Sequence, residues 1–139
     1  MQRSDALARF AAARVARLAT IADSGPHLVP VVFAVAGDRV VIAVDDKPKT
    51  TRRLKRLANI DRDPRVSLLV DHYEEAWERL WWVRVDGTAR VVPSGPEFDR
   101  AIEALVGKYG RYRSAPPGGP VIEVTIERVV AWEASGPPG

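Results

Sequence analysis

Apolar and polar positions change period several times along the chain, and each change marks an element. Leu7, Phe10 and Ala11 recur at helical spacing behind Ser4, a good N-cap, which predicts a helix over about 4–14. Val15 to Ile21 then reads as a strand that ends at the turn Asp23-Ser24-Gly25-Pro26. His27 to Val35 is almost continuously apolar, the pattern of a strand covered on both faces. Pro30 lacks an amide hydrogen, so this strand needs an edge, a bulge or a break facing a ligand at that point. Past the tight turn Ala36-Gly37-Asp38, Arg39 to Asp45 returns as the hairpin partner.

Leu54, Leu57 and Ala58 share one helical face and predict a short helix from Thr51 to about Asn59, with Asp63-Pro64 closing the connection. Arg65 to Asp71 is a strand, His72 to Arg79 a polar loop or single helical turn, and Leu80 to Val92 a long strand bent at Gly87. Ser94 followed by Glu97 forms a capping box. It opens a helix whose stripe is Phe98, Ile102, Leu105, Val106 and Tyr109. A Pro/Gly loop over Tyr112 to Gly119 leads into the last strand, Val121 to Trp132. Six strands, three helices, tight hairpins and one long crossover argue for a mostly antiparallel sheet. Closing it into a complete or split barrel removes its exposed edges. The expected organisation is a single domain over 1–134 with a flexible tail at 135–139.

Composition adds exclusions. The 139 residues are 46% hydrophobic and 28% charged with a net charge of +3, the profile of an ordinary globular domain. With no cysteine there is no thiol nucleophile, thiolate metal site or disulfide, and His27 and His72 alone cannot build a zinc site. No metal is expected. No window approaches a membrane span, and Arg3, Arg9, Arg14 and Arg17 interrupt any secretory core, so a cytoplasmic protein is expected.

One cluster carries chemistry. Lys47-Pro48-Lys49-Thr50-Thr51-Arg52-Arg53-Leu54-Lys55-Arg56 holds six basic residues and no acidic one. Arg52 and Arg53 fall in the first turn of the predicted helix, where the dipole disfavours cations unless an anion docks. Backbone amides at a helix start together with Lys and Arg make a phosphate site; a solvated basic face is the alternative. Nucleic acid is not expected, because Trp77, Trp81 and Trp82 lie away from the basic run, beside Glu74, Glu75 and Glu78. Alternation sends Trp81 and Trp82 to opposite faces, one toward a core and one toward a cleft or a partner. His27 and His72 read as surface or capping residues. No nucleophile triad, Walker loop or Gly-x-Gly-x-x-Gly stretch is present. A protein so equipped suits a bound organic cofactor that does the reaction while the chain orients it.

The order of segments resembles a family. Arg17-Leu18-Ala19-Thr20-Ile21 followed by Pro26-His27-Leu28-Val29-Pro30-Val31, then Leu57-Ala58-Asn59-Ile60-Asp61-Arg62-Asp63-Pro64-Arg65-Val66, then Val85-Asp86-Gly87-Thr88-Ala89, is similar to the pyridoxamine 5′-phosphate oxidase-like split barrels. Within that family it looks most like the actinobacterial branch that uses the deazaflavin coenzyme F420. The resemblance implies a six-stranded antiparallel, Greek-key split β-barrel of the FMN-binding type. It implies a homodimer with cofactor at the subunit interface, no membrane partner and a small-molecule substrate. The phosphate would fall to Lys55 and especially Arg56, with Lys49 and Arg53 nearby. Pro30, Val31 and Val32 would line the ring through their backbone, Ala43 and Val44 would flank it, and Trp81 or Trp82 would approach. The implied activity is an F420-dependent oxidoreductase passing hydride to an electron-poor acceptor. An FMN enzyme and a non-catalytic carrier are the alternatives, and Tyr73, Tyr109 or solvent could donate a proton.

Overall fold

The apolar run around Pro30 folds into two pieces, β2 (Gly25–Val31) and β3 (Ala34–Ala36), and these are the opposite edges of one sheet. The other elements are α1 (Arg3–Ala12), β1 (Ala16–Ala22), β4 (Arg39–Ala43), α2 (Thr51–Arg62), β5 (Arg65–His72), β6 (Trp81–Val92), α3 (Pro96–Lys108), α4 (Gly110–Ser114) and β7 (Val121–Glu133). The structure, a computed structural model, describes residues 1–44 and 51–135. Residues 136–139 of the expected tail lie outside it.

The strands run β2-β1-β5-β6-β7-β4-β3, every pair antiparallel. Laid flat, six steps of about 4.8 Å would hold the two edges about 29 Å apart. Only Val32 and Phe33 separate them in sequence, which allows at most about 11 Å. The sheet therefore rolls up and meets itself where β2 hands over to β3. This is a split barrel. Its core draws Leu18, Val31, Ile42, Leu68, Val85 and Ile122 from across the sheet, with Phe10 of α1 beneath. A smaller cluster packs Ala101 and Leu105 of α3 on Val41, Val92 and Val121.

The seam is pinned by one side chain. Phe33 donates its N–H to the Tyr109 hydroxyl at 3.1 Å, and that hydroxyl lies 2.9 Å from two acceptors, the carbonyls of Phe33 and Arg14. The Phe33 ring is fully buried, 4.9 Å from Phe10 and beneath the Lys108 ammonium at 3.8 Å. Tyr109→Phe strands a buried donor and should destabilise the fold by about 1–3 kcal/mol. Denaturant titration should show a lower midpoint at an unchanged slope.

Lys108 also gives the fold a pH signature. Its burial, and secondarily the Arg14 guanidinium, lower its pKa from 10.5 to about 8. Between about pH 8 and 10.5 the unfolded chain holds the extra proton. Stability thus rises with pH through that window, and the contribution is gone below about 8. Tyr109, whose pKa burial raises above 10.0, opposes the rise at its upper end. Lys108→Met should flatten the increase in melting temperature measured from pH 7.5 to 9.5.

Several expectations change. Seven strands replace six, because the stretch read as one strand breaks at Val32-Phe33. β2 is not covered on both faces: its exposure alternates, and Leu28 is 67% exposed. Pro30 sits on an edge strand, the environment its missing amide requires. Ser94 caps nothing. Gly95, at φ +102°, is the N-cap of α3 with Pro96 behind it, and Glu97 pairs instead with Arg90. Ser4 lies inside α1, whose N-cap is Gln2. Gly110–Ser114 winds into α4 at the start of the Pro/Gly loop, and Trp77–Arg79 is a single 3-10 turn. Among the described residues no helix is long and apolar enough to cross a membrane.

Candidate anion site on the second helix

α2 is held against the barrel by its C-terminal half. Ile60 is in the main core with Leu57 packed against it, and the buried Asn59 amide donates to the Thr20 hydroxyl at 3.2 Å. Arg62 reaches the Ile21 carbonyl at 3.1 Å and Asp23 at 2.9 Å. These bonds fix the helix beside β1 and thereby fix Arg56, which sits three residues before Asn59 and four before Ile60, on the same helical side.

Arg56 is half-buried. Its Nε is shielded from solvent and has no hydrogen-bond partner, and burial lowers the guanidinium pKa. Eight other arginines have carboxylate partners: Arg9, Arg17, Arg39, Arg62, Arg65, Arg79, Arg84 and Arg90. A desolvated cation with no counter-ion among the described residues is costly. An anionic group accepting from Nε would satisfy it, so the donor set fits a cofactor phosphate.

The remaining expected residues scatter. Lys55 is exposed next to Arg56. Lys49 lies outside the described residues, as does the side chain of Arg53. Pro30 is exposed on β2, which pairs only with β1 and so has one row of backbone groups outside any ladder; Val31 is 7% exposed and Val32 half-buried. Ala43 is half-buried, while the Val44 side chain is in the core at 1% exposure and is not available to a ligand. Ala43 pairs with Val121, which pairs with Val92. Trp82 pairs with Trp132, ten residues along β6 from Val92, or about 33 Å of strand. One chain therefore places Ala43 and the tryptophans at opposite ends of the same ladder.

Trp81 is half-buried between the Arg9 guanidinium, 5.3 Å from its ring, and His72, stacked at 6.1 Å. Tyr109 is committed to the seam. Tyr73 is 62% exposed and accepts from Trp77 Nε1 at 3.4 Å. On the outer face of the sheet Leu28, Ile21, Leu69 and Trp132 are all exposed. A groove of about 490 Å³, lined by Ala19, Ile21, Pro26, Ser67 and Asp86, lies on that face.

One residue escaped the reading of the sequence. His27 pairs directly with Thr20, and its Nδ1 is buried without a partner. The signal was available in the hairpin: with a two-residue connection at Asp23-Ser24, the register sets His27 opposite Thr20, which is buried.

Comparison with known proteins agrees with this architecture. A conserved hypothetical protein of Mycobacterium tuberculosis superposes with a TM-score of 0.78 at 21% identity, covering 96% of this chain and 86% of that one. An FAD-binding protein of Mesorhizobium loti gives 0.73 at 24% identity over 97% and 96%. The FAD binding protein of Mycobacterium smegmatis gives 0.67 at 17% identity over 95% and 94%. At such identities the likeness is one of fold. No curated protein sequence matches the chain. The profile described as pyridoxamine 5′-phosphate oxidase matches residues 4–133, nearly the whole sequence, and the chain belongs to that family.

Proposed function

We propose that this protein is a cytoplasmic, homodimeric oxidoreductase that holds the phosphate of coenzyme F420 at Arg56 and passes hydride between that cofactor and a small organic acceptor. The observation that carries the reading is the desolvated, unpartnered guanidinium nitrogen of Arg56 on a helix bonded to the barrel wall. Bound there, a reduced deazaflavin would supply the hydride. The chain supplies the rest: a cationic grip on the phosphate, to which Lys49, Arg53 and Lys55 add charge, and the ladder-free edge of β2 at Pro30 to Val32 for the polar rim of the ring. The exposed apolar residues Leu28, Ile21, Leu69 and Trp132 support a second copy on the outer face, which would exclude water there. It would also let Trp82 of one subunit approach a site that its own ladder keeps distant from Ala43.

FMN is the second reading, favoured by the FAD-binding proteins that share the fold. Absorbance and fluorescence titration with F420 and with FMN, alongside light scattering for oligomeric state, tests the assignment. Tighter F420 binding to a dimer is expected. Equal or tighter binding of FMN transfers the assignment to the flavin, tight binding without turnover of enones, quinones or nitroaromatics makes the protein a carrier, and failure to bind either overturns the reading.

A further inference from the structure

Two side-chain nitrogens in the described structure are buried with no hydrogen-bond partner, His27 Nδ1 and Arg56 Nε, and a single buried hydrogen bond links the places they occupy. His27 and Thr20 are directly opposite on β2 and β1. Their side chains leave the same face, with Cβ atoms about 4.5–5.5 Å apart. That face is the one α2 covers, because the Thr20 hydroxyl accepts from Asn59. Arg56 stands one helical turn before Asn59, with Cβ atoms about 5–6 Å apart. His27, Thr20, Asn59 and Arg56 thus each adjoin the next, along a path from β2 over β1 to α2.

The chemistry of the two orphans is compatible. Nε of arginine only donates, and an imidazole nitrogen donates in one tautomer. Thr20 and Asn59 bond to each other, and neither is among the buried side chains left without a partner. A group that accepts from two directions and carries negative charge completes both, and a phosphate monoester or diester has the oxygens to do so. His72 offers a contrast: its Nε2 lies 2.5 Å from Glu74 and its ring stacks on Trp81, so it needs nothing further.

We propose that His27 is a second binding side chain of the phosphate site, donating to the cofactor phosphate from the β2 side while Arg56 donates from α2. This rests on the reading of Arg56 as a phosphate contact and deepens it. Histidine there adds a donor from the β2 side, and it ties phosphate recognition to the edge strand beside which the ring would lie.

The test compares ligands that differ in the phosphate. FMN against riboflavin, and F420 against its phosphate-free chromophore, are titrated into the full-length wild type, His27→Leu and His27→Gln. His27→Leu should weaken the phosphorylated member of the pair that binds by roughly ten- to a hundredfold and leave its phosphate-free partner unchanged. His27→Gln, which keeps a donor, should recover part of the loss and serves as the readout should the leucine variant unfold. Unchanged affinity for the phosphorylated ligand overturns the proposal while leaving the Arg56 reading standing. Equal losses with and without the phosphate also overturn it, since the ring would then be what His27 touches. A wild type that binds neither phosphorylated ligand removes both.

Discussion

Gly87→Ala should lower the melting temperature by roughly 10 °C or more, the scale of a loss of about 3 kcal/mol. At Gly87 the register of β6 against β7 shifts, so that Asp86 faces Arg128 and Gly87 faces Ile126. The extra β7 residue is accommodated by bringing the two backbones together. A Cβ on residue 87 would lie 2.0 Å from the Thr125 carbonyl oxygen and 3.0 Å from Val124 Cγ1. Ordinary carbon–oxygen contacts begin near about 3.3 Å, so the β7 main chain would have to retreat by about an ångström. That chain is not at liberty to do so. Val124 pairs with Val40 and Ala89, and Ile126 N–H bonds to the Asp38 carbonyl at 3.0 Å. The displacement would spread to β4 and into the core. Differential scanning calorimetry reads the effect directly, and a melt within 2–3 °C of wild type, the shift expected for a loss of well under about 1 kcal/mol, would show that the bulge relaxes cheaply.

That glycine was visible in the sequence as a bend in a long strand, and its neighbours show why some features were legible and others were not. Alternation in β1, β5 and β6 reports burial directly, so these strands fall close to where periodicity puts them. β2 defeats the same logic. An apolar outer face looks identical in one dimension whether the chain itself covers it or not, and this chain leaves Leu28 and Pro30 exposed. The break at Val32-Phe33 has no turn residues at all. What ends the ladder is Tyr109, seventy-six residues away, whose hydroxyl takes over the backbone groups of Phe33. Ser94 was a sound cap by composition and lost to the left-handed Gly95 because Glu97 was drawn to Arg90.

The anion site divides in the same way. The basic run is plain in the sequence, but which of its cations matters is a three-dimensional question. Arginines such as Arg90 and Arg84 find carboxylates on neighbouring or adjoining strand positions, Arg90 with the buried Glu123 at 3.0 Å and Arg84 with Asp86 at 2.8 Å. Arg56 stands out because its Nε is buried with no acceptor among the described residues. His27 was hidden for a related reason: no residue near it in sequence explains it, and its meaning comes from the strand opposite and the helix above.

Arg56→Glu should reduce affinity for the phosphorylated cofactor by about a hundredfold or more and spare the fold. The reversal removes the guanidinium donors and sets a carboxylate against the phosphate, in a place screened from water where like charges repel strongly. Folding should survive because Arg56 bonds to nothing in the described structure, whereas Asn59 and Arg62 hold α2. The companion variant Arg56→Met separates binding from stability further. Burial lowers the Arg56 pKa, the mark of a charge held at a cost. Methionine keeps the aliphatic length and removes that charge, so the unliganded variant should melt at or above the wild-type temperature. Cofactor at about ten times the wild-type Kd should raise the wild-type melting temperature and scarcely move that of Arg56→Glu, whose hundredfold weaker site is then only about a tenth filled, with Arg56→Met also raised less than wild type. If the methionine variant instead melts well below wild type without ligand, Arg56 holds the barrel together and its unpartnered nitrogen has nothing to do with a phosphate.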